Sequence, residues 1–345
     1  MRFPLSLTMS MATYMLRKKW SGIQRFPLVL MLEPLHACNL QCSGCGRIRE
    51  YADTLGQRLS IEECLRAVKE CDAPIVSLCG GEPLLYGEIV PLTEKILQQG
   101  KHIYLCTNGI LLEEKLGGFV QLAKKNRRTK SRLYWNIHLD GTAEIHDAIT
   151  EKPGTFAKAL EGIRAAKRAG FYVYTNTTLY KTSMAADLVA LAEQLHAVNI
   201  DGMMIAPGYG YDALQKETGR KDDFFLNREE THQLFKEVRQ VMRRFRLTAT
   251  PLYLDFLCGE RQFPCAAWAN PTRNVCGWKS PCYLITDKHY DTFDNFMEQT
   301  DWAKTGLGND PRCQDCLMHC GYEPAAVLFG NRWRDLLRLA LWQMS

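Results

Sequence analysis

Alternating strands and helices between residues 28 and 245 constrain the fold more than any other feature of the sequence. Short apolar runs typical of buried strands lie at 28–33, 75–78, 103–106, 133–139, 171–179 and 202–206. Helical stretches separate them, and the first begins with Ser60 and Glu63, the pair expected in a capping box. Repeated strand–helix units predict an α/β fold with a parallel sheet, and six of them predict a partial (β/α)6 barrel. Active sites of such barrels lie at the C-terminal ends of the strands.

Three cysteines follow the first predicted strand directly. Cys38, Cys42 and Cys45 have the spacing C-x3-C-x2-C. From the residues alone, they are buried thiols, a zinc site without its fourth ligand, or an iron–sulfur cluster with one iron left open. No fourth Cys or His follows at regular spacing, as a structural zinc site requires. Short loops of thiolates are usual ligands of iron–sulfur clusters, so the spacing favours that interpretation.

The cysteine spacing resembles that of the radical S-adenosylmethionine (SAM) superfamily. In that superfamily the open iron binds the amino and carboxylate groups of SAM, and the reduced cluster cleaves SAM to a 5′-deoxyadenosyl radical. The resemblance implies a [4Fe-4S] cluster on Cys38, Cys42 and Cys45, with SAM as co-substrate. It also implies an external electron donor such as flavodoxin or ferredoxin. The superfamily usually has an aromatic residue before its last cysteine, where this chain has Gly44.

Composition limits the partners and the compartment. A net charge of +5 permits an anionic surface as partner but does not require nucleic acid, and we expect none. The chain has 14 cysteines and no convincing secretory signal, so we expect a cytoplasmic protein in a reducing compartment. No apolar run reaches the ~18 residues that a membrane-spanning helix needs.

Both ends of the chain have an amphipathic, partly basic pattern. Residues 4–20 predict a helix that ends in Arg17-Lys18-Lys19, and residues 333–342 predict a second one. We therefore expect an N-terminal segment over 1–24 and a C-terminal helix over 326–345. Such segments usually pack on their own domain, and peripheral contact with the inner face of a membrane is the alternative hypothesis.

The strand–helix pattern stops near residue 250, where Pro, Gly, Trp and Cys become frequent. We expect a core barrel over 25–249 and a small Cys-rich region over 250–325. That region holds five cysteines, namely Cys265, Cys282, Cys313, Cys316 and Cys320. Three interpretations stay open for them: stabilising thiols, a structural zinc site, or a second iron–sulfur cluster. The spacing resembles a shortened form of the auxiliary-cluster domain, which implies the third.

Polar residues at the ends of several predicted strands are candidate SAM contacts. Gly80, Gly81 and Glu82 follow the second strand and resemble the G-G-E motif that holds the amino group of SAM. Ala206-Pro207-Gly208, after the sixth strand, is a candidate for backbone contact with adenine. Further candidates for the ribose and carboxylate of SAM end the third, fourth and fifth strands: Asn108, His138, Asp140 and Asn176.

Cys106 ends the third predicted strand and belongs to neither group of cysteines. A free cysteine is most often a buried structural residue. At the active end of a barrel, its S–H bond is also weak enough to supply a hydrogen atom to a carbon radical.

The chain further resembles the adenosylhopane synthase family of hopanoid biosynthesis, which shares Gly44. The stretches that carry this resemblance are 27–35, 38–46, 80–85, 104–108, 138–141, 270–274 and 313–324. It implies addition of the 5′-deoxyadenosyl radical to the alkene of a hopene (diploptene), with Cys106 as hydrogen donor to the product radical. Two alternatives stay open: a peptide-modifying radical SAM enzyme that releases 5′-deoxyadenosine, and a non-catalytic zinc-binding scaffold.

A hopene substrate needs an apolar, aromatic pocket, because it has no charged group. Candidate residues for that pocket are Trp135, Tyr209, Tyr211 and Phe256. For such a substrate, we expect the amphipathic ends to hold the barrel mouth at the bilayer surface.

Overall fold

The nine strands form a single sheet in the computed structural model, which describes residues 1–214, 223–330 and 332–345. The strand order is β6-β5-β4-β3-β2-β1-β7-β8-β9, and β1 to β6 are parallel neighbours in chain order. The strands are β1 (Val29–Leu32), β2 (Ile75–Leu78), β3 (His102–Thr107), β4 (Leu133–His138), β5 (Tyr172–Leu179), β6 (Gly202–Pro207), β7 (Thr272–Asn274), β8 (Gly277–Pro281) and β9 (Thr286–Tyr290). The predicted α/β fold with six parallel strands is confirmed.

Helices connect successive strands of the parallel part. Ser60 and Glu63 form the predicted capping box, with the Ser60 backbone N–H donating to Glu63 Oε2 over 2.7 Å. The described helices are α1 (Leu5–Trp20), α2 (Arg47–Glu50), α3 (Ile61–Cys71), α4 (Ile89–Gln98), α5 (Leu112–Lys125), α6 (Arg128–Arg132), α7 (Ala143–Thr150), α8 (Thr155–Arg168), α9 (Ala185–Ala197), α10 (Arg228–Val241), α11 (Pro251–Leu257), α12 (Phe293–Gln299), α13 (His319–Phe329) and α14 (Trp333–Met344).

Side chains alternate between the two faces of the parallel sheet. Trp135 is fully buried on the helix side, with its ring 4.8 Å from that of Phe119. Its neighbour Asn136 is only partly buried and faces the interior of the barrel, as Cys106 does one strand away. The prediction that Trp135 lines a substrate pocket is therefore wrong, because strand alternation directs its side chain into the core between the sheet and the helices.

The C-terminal region extends the same sheet. β7 pairs in parallel with β1, with Thr272 opposite Met31, and β8 and β9 continue as antiparallel strands. The amino-acid composition thus changes near residue 250, but the sheet continues across that position. The domain boundary at this residue stays a prediction. Phe256 is 1% exposed and stacks on Tyr322 in the core of this region, so its expected place in a substrate pocket is wrong.

The two ends of the chain meet at the N-terminal ends of the barrel strands. Leu7 of α1 packs in a cluster with Ile75, Tyr134 and Tyr174, which lie near the starts of their strands. α14 lies beside α1, since Gln343 Nε2 donates to the Thr8 hydroxyl over 2.8 Å. The expectation that the ends hold the barrel mouth at a bilayer is wrong, because they cover the opposite end. No helix in the described ranges is both long and apolar enough to cross a membrane.

Candidate active site

The three-cysteine loop lies at the C-terminal end of β1, as predicted. Cys38, Cys42 and Cys45 are partly buried free thiols that lie close enough to affect one another electrostatically. Burial raises the pKa of Cys38 to about 12 and raises that of Cys42 as well. An iron–sulfur cluster would displace the thiol protons, since thiolates are its ligands.

Two glycines bring the turn after β2 onto this loop. A Cβ atom at Gly81 would collide with the carbonyl oxygens of His36 and Ala37, immediately before Cys38. Gly80 has a φ of +110°, which other residues rarely adopt, and its Cα hydrogen faces the Leu35 carbonyl. The predicted Gly-Gly pair therefore lies against the cysteine loop, and glycine is required there.

Glu82 is buried and fully engaged with protein donors. Its carboxylate accepts hydrogen bonds from Leu84 N–H at 2.9 Å, from the Thr107 hydroxyl at 2.7 Å and from Asn108 N–H at 2.8 Å. Burial raises the pKa of Glu82 to about 7, against the opposite effect of these hydrogen bonds. Glu82 thus fixes the end of β3, and its expected contact with the amino group of SAM stays a prediction.

Asn108 links the end of β3 to the cysteine loop. Its Nδ2 donates to Asn39 Oδ1 over 2.8 Å and lies 4.0 Å from Cys38 Sγ. The expected contact of Asn108 with SAM is untested, but its position beside a cluster ligand is clear.

The ends of β4 and β5 add a partly buried ion pair and an unsatisfied oxygen. His138 Nε2 lies 2.7 Å from Asp140 Oδ2; burial lowers the pKa of His138, but Asp140 outweighs it and the net shift is upward. Asp140 also accepts a hydrogen bond from Thr178 N–H at 2.8 Å. Asn176 Oδ1 is buried without a hydrogen-bond partner among the described residues, so it is available to a ligand.

Cys106 lies in the barrel interior between two polar side chains. Its Sγ is 3.2 Å from the Ser77 hydroxyl on β2, and Asn136 Nδ2 on β4 donates to it over 3.5 Å. Burial raises the pKa of Cys106, so the thiol keeps its hydrogen at neutral pH. Sequence reasoning found Cys106 but missed Ser77 and Asn136, because strand alternation gives the face of each residue and not the register between strands.

Apolar side chains complete this level of the barrel interior. Met31 lies opposite Ser77 in the β1–β2 register, and Met204 lies opposite Asn176 in the β5–β6 register. Tyr104, two residues before Cys106 on the same strand face, packs against the ring of Tyr134 at 5.0 Å. These interior positions are therefore apolar, whereas the Glu82 carboxyl lies close enough to Cys106 to raise the pKa of its thiol.

A buried charge network, which sequence reasoning missed, lies beneath the cysteine loop. Arg47, two residues after Cys45, is 4% exposed and forms an ion pair with fully buried Glu33 at 2.6 Å. Lys279 on β8 is fully buried and contacts Glu50 of α2 at 3.1 Å. Burial, together with the nearby Arg47, lowers the pKa of Lys279 to about 8. The network joins the cysteine loop to the C-terminal region.

The structure also brings the C-terminal cysteines together. Cys265, Cys282, Cys313, Cys316 and Cys320 line one cavity. Tyr209 and Tyr211 pack beside these cysteines, and Tyr211 also lies against Gly46 next to Cys45. Their expected place in a substrate pocket stays a prediction. Among the described residues, no three Cys, His, Asp or Glu side chains converge tightly enough to hold a single metal ion.

The residues at the C-terminal ends of β1 to β5 fit an iron–sulfur cluster with SAM. Three partly buried thiols, a glycine turn that lies against them and the unpaired Asn176 oxygen lie at one end of the barrel. When bound there, the cluster supplies the electron that cleaves SAM. Cys38, Cys42 and Cys45 would hold the cluster through their thiolates.

Comparison with known proteins identifies the class. Residues 32–195 match the radical SAM superfamily, and residues 203–337 match a domain of unknown function, DUF3463. The superfamily that residues 32–195 match uses a [4Fe-4S] cluster and SAM, and these are the cofactors of this chain. Streptococcus suis SuiB has the same fold, with a TM-score of 0.62 at 16% identity over 92% of this chain and 77% of SuiB.

Two curated relatives are similar in sequence. The AdoMet-dependent heme synthase of Methanosarcina barkeri is 28% identical over 203 residues, which are 57% of this chain and 53% of that protein. The pre-heme d1 synthase of Dinoroseobacter shibae is 27% identical over 311 residues, 87% of this chain and 74% of that protein. The chain spans about half the length of the first curated relatives it matches. The hopanoid specificity implied by the sequence is therefore a proposal.

Proposed function

We propose that this radical SAM enzyme adds the 5′-deoxyadenosyl radical to the alkene of a hopene such as diploptene, giving adenosylhopane. The observation that carries the proposal is the protonated thiol of Cys106 in the barrel interior, held by Ser77 and Asn136. Addition to an alkene leaves a carbon radical, which must receive a hydrogen atom. An enzyme that only abstracts hydrogen from its substrate has no such requirement.

In the proposed reaction, Cys106 supplies the hydrogen atom that the product radical needs. A C–C bond forms between the adenosyl carbon and the terminal alkene carbon, which leaves a tertiary carbon radical. The Cys106 S–H bond breaks as the hydrogen atom passes to that carbon. The remaining thiyl radical takes one electron and one proton, the electron from a donor of the flavodoxin or ferredoxin class.

The lining of the barrel interior supports a neutral substrate. Cys106 contacts Ser77 and Asn136, and Met31, Tyr104 and Met204 occupy interior positions on the neighbouring strands and its own. A triterpene hydrocarbon gains from apolar contact and needs no ion pair.

A lipid substrate is also consistent with the exposed apolar surface at the other end of the barrel. α1 exposes Leu5 and Met9 at 56% and 57%, and α14 exposes Leu341 and Met344 at 54% and 62%. Arg17, Lys18 and Lys19 lie in the last turn of α1. Apolar residues with adjacent cations are the pattern that binds an anionic membrane surface. The proposed peripheral membrane contact therefore uses the N-terminal end of the barrel.

Anaerobic incubation of the full chain with SAM, reductant and diploptene tests this function. We expect a product whose mass equals diploptene plus the adenosyl group and one hydrogen. Free 5′-deoxyadenosine with unchanged diploptene would contradict the proposal. Parallel incubations with haem precursors and with peptides would then identify the correct substrate class.

A further inference from the structure

Gly44 is the residue of the cysteine loop that departs from the usual superfamily pattern, and its backbone does not explain the glycine. Its φ lies outside the left-handed region, where glycine is favoured. A Cβ atom at this position would instead collide with the Tyr180 hydroxyl and lie 2.8 Å from two carbons of the Tyr180 ring. Position 44 is therefore restricted to glycine by a neighbouring side chain.

The Tyr180 ring has little freedom to move away from Gly44. Tyr180 follows β5 directly and is 4% exposed. The centre of its ring lies 4.4 Å from that of Phe224 and 5.9 Å from that of Phe225. A ring packed in this way moves only if its neighbours move with it. Because Gly44 is itself partly exposed, a side chain added there would displace the backbone of the cysteine loop.

The same ring also contacts the segment after β6. A Cβ atom at Gly208, which follows β6, would lie 2.9 Å from a carbon of the Tyr180 ring. Gly208 belongs to the stretch that we expect to contact the adenine of SAM. Tyr180 thus lies between the cysteine loop after β1 and a segment expected to bind SAM.

Hydrogen bonds hold the loop on both sides of Gly44. The Cys45 N–H donates to the Cys42 carbonyl over 3.0 Å. Arg49 Nη1 donates to the same Cys42 carbonyl over 3.1 Å and to the Cys45 carbonyl over 2.7 Å. Tyr180 contacts the residue inside this turn. The backbone path between two of the three loop cysteines is therefore set by these hydrogen bonds together with the tyrosine ring.

We propose that Tyr180 is a positioning residue for the iron–sulfur cluster, because it fixes the backbone between Cys42 and Cys45. Gly44 and Tyr180 are then a matched pair, in which the aromatic ring comes from the end of β5 and not from the loop. A displaced thiolate would change the surroundings of the iron that binds SAM, so the effect should appear in SAM affinity. The inference rests on the cofactors of this chain and not on the hopene substrate.

A double-mutant cycle on the pair measures this coupling without any substrate. The full chain is reconstituted anaerobically with iron and sulfide, and the change that SAM causes in the electron paramagnetic resonance spectrum of the reduced cluster gives the Kd of SAM. Gly44→Ala should raise this Kd about tenfold, since loss of a group that orients metal ligands typically costs roughly ten- to a hundredfold. In a Tyr180→Leu background the same change should alter the Kd by less than about twofold, because the smaller side chain leaves room for the methyl group.

Two results of the cycle would overturn the proposal. One is a Kd for Gly44→Ala within about twofold of wild type, and the other is an equal increase in both backgrounds. Gly44→Ala alone carries the test if Tyr180→Leu does not fold, because the nearest atoms to its added methyl group all belong to Tyr180.

Variants of the tyrosine separate positioning from general packing. Tyr180→Phe keeps the ring and should bind SAM like wild type, whereas Tyr180→Leu should raise the Kd about tenfold. Tyr174→Leu is the control, since it removes an equally buried ring near the other end of β5. It should lower the free energy of unfolding in urea without changing the Kd of SAM. An unchanged Kd in Y180L, or an equal increase in Y174L, would show that Tyr180 only packs the core and would refute its positioning role.

Discussion

Cys106 Sγ lies 3.2 Å from the Ser77 hydroxyl, on the neighbouring strand of the parallel sheet. Asn136 approaches the same sulfur from the other neighbouring strand at 3.5 Å. Two partners on two strands fix the direction of the thiol in the barrel interior. This constraint is what a hydrogen donor to a short-lived carbon radical requires.

Replacing Asn136 tests that constraint. The net contribution of a hydrogen bond is about 1 kcal/mol. Asn136→Ala should therefore lower the amount of adenosylhopane formed per SAM cleaved about fivefold. Cleavage of SAM itself should not change, because Asn136 is not a cluster ligand. The ratio of adenosylhopane to methionine, measured by mass spectrometry, gives the yield of product per SAM cleaved. Asn295→Ala, on the surface helix α12, is the control, and an equal ratio in both variants would remove the proposed role.

Glu82 gives a prediction for the dependence of stability on pH. Burial raises its folded-state pKa from 4.5 to about 7. A raised carboxyl pKa contributes stability below pH 4.5, and that contribution is lost as pH rises through about 7. The free energy of unfolding of wild type, relative to Glu82→Gln, should therefore fall across this window in urea titrations.

Two comparisons isolate Glu82. Burial also raises the pKa of Glu323 to about 7, but Glu323 is present in both proteins and its effect cancels. Glu88→Gln, at an exposed position after the same turn, should show no such difference from wild type. A difference between wild type and E82Q that stays constant with pH would contradict the shifted pKa.

The pair of Arg47 and Glu33 should be necessary for folding. Removing one member of a buried ion pair leaves an uncompensated charge, which typically costs about 3–5 kcal/mol. We expect Arg47→Met to lower the free energy of unfolding by about that amount in urea denaturation. Arg168→Met, on the exposed face of α8, should change it by less than about 0.5 kcal/mol. Equal stabilities would show that the network is dispensable.

The apolar surface on α1 and α14 predicts binding to anionic vesicles. Replacing Leu5, Met9 and Leu341 with Glu removes three exposed apolar contacts, each worth about 1 kcal/mol or more on burial. Flotation with phosphatidylglycerol vesicles should then show at least about a hundredfold weaker binding. Met184→Glu, 60% exposed near α9, should float like wild type. No flotation of the wild-type chain would refute the proposed membrane contact.

Much of the barrel follows from local sequence, whereas its contacts depend on register. Alternation of apolar residues identified the six parallel strands, and the residues that follow them marked the mouth. Ser77 and Asn136 were missed because their proximity to Cys106 depends on how three strands align. β7 was missed because three residues, Thr272–Asn274, are too few to show a period, and its place beside β1 is a long-range choice.

Two further errors have simple physical causes. Trp135 was assigned to a pocket because an aromatic side chain suits a lipid, but the pleat of β4 directs it towards Phe119. The ends of the chain were assigned to the mouth because of their composition. Composition cannot tell which end of a barrel an amphipathic helix covers; that follows from the packing of Leu7 on Ile75 and Tyr134.

Deuterium transfer to the product tests the central claim most directly. Thiol hydrogens exchange with solvent, so incubation of the wild-type enzyme with SAM, reductant and diploptene in D2O should place one deuterium on the former alkene's tertiary carbon. Cys106→Ala should cleave SAM but give little of the reduced adduct, whereas Cys258→Ala, at a thiol buried outside the barrel interior, should behave like wild type. Full yield of the deuterated adduct from C106A, or no adenosylated hopane from the wild-type enzyme, would contradict the account.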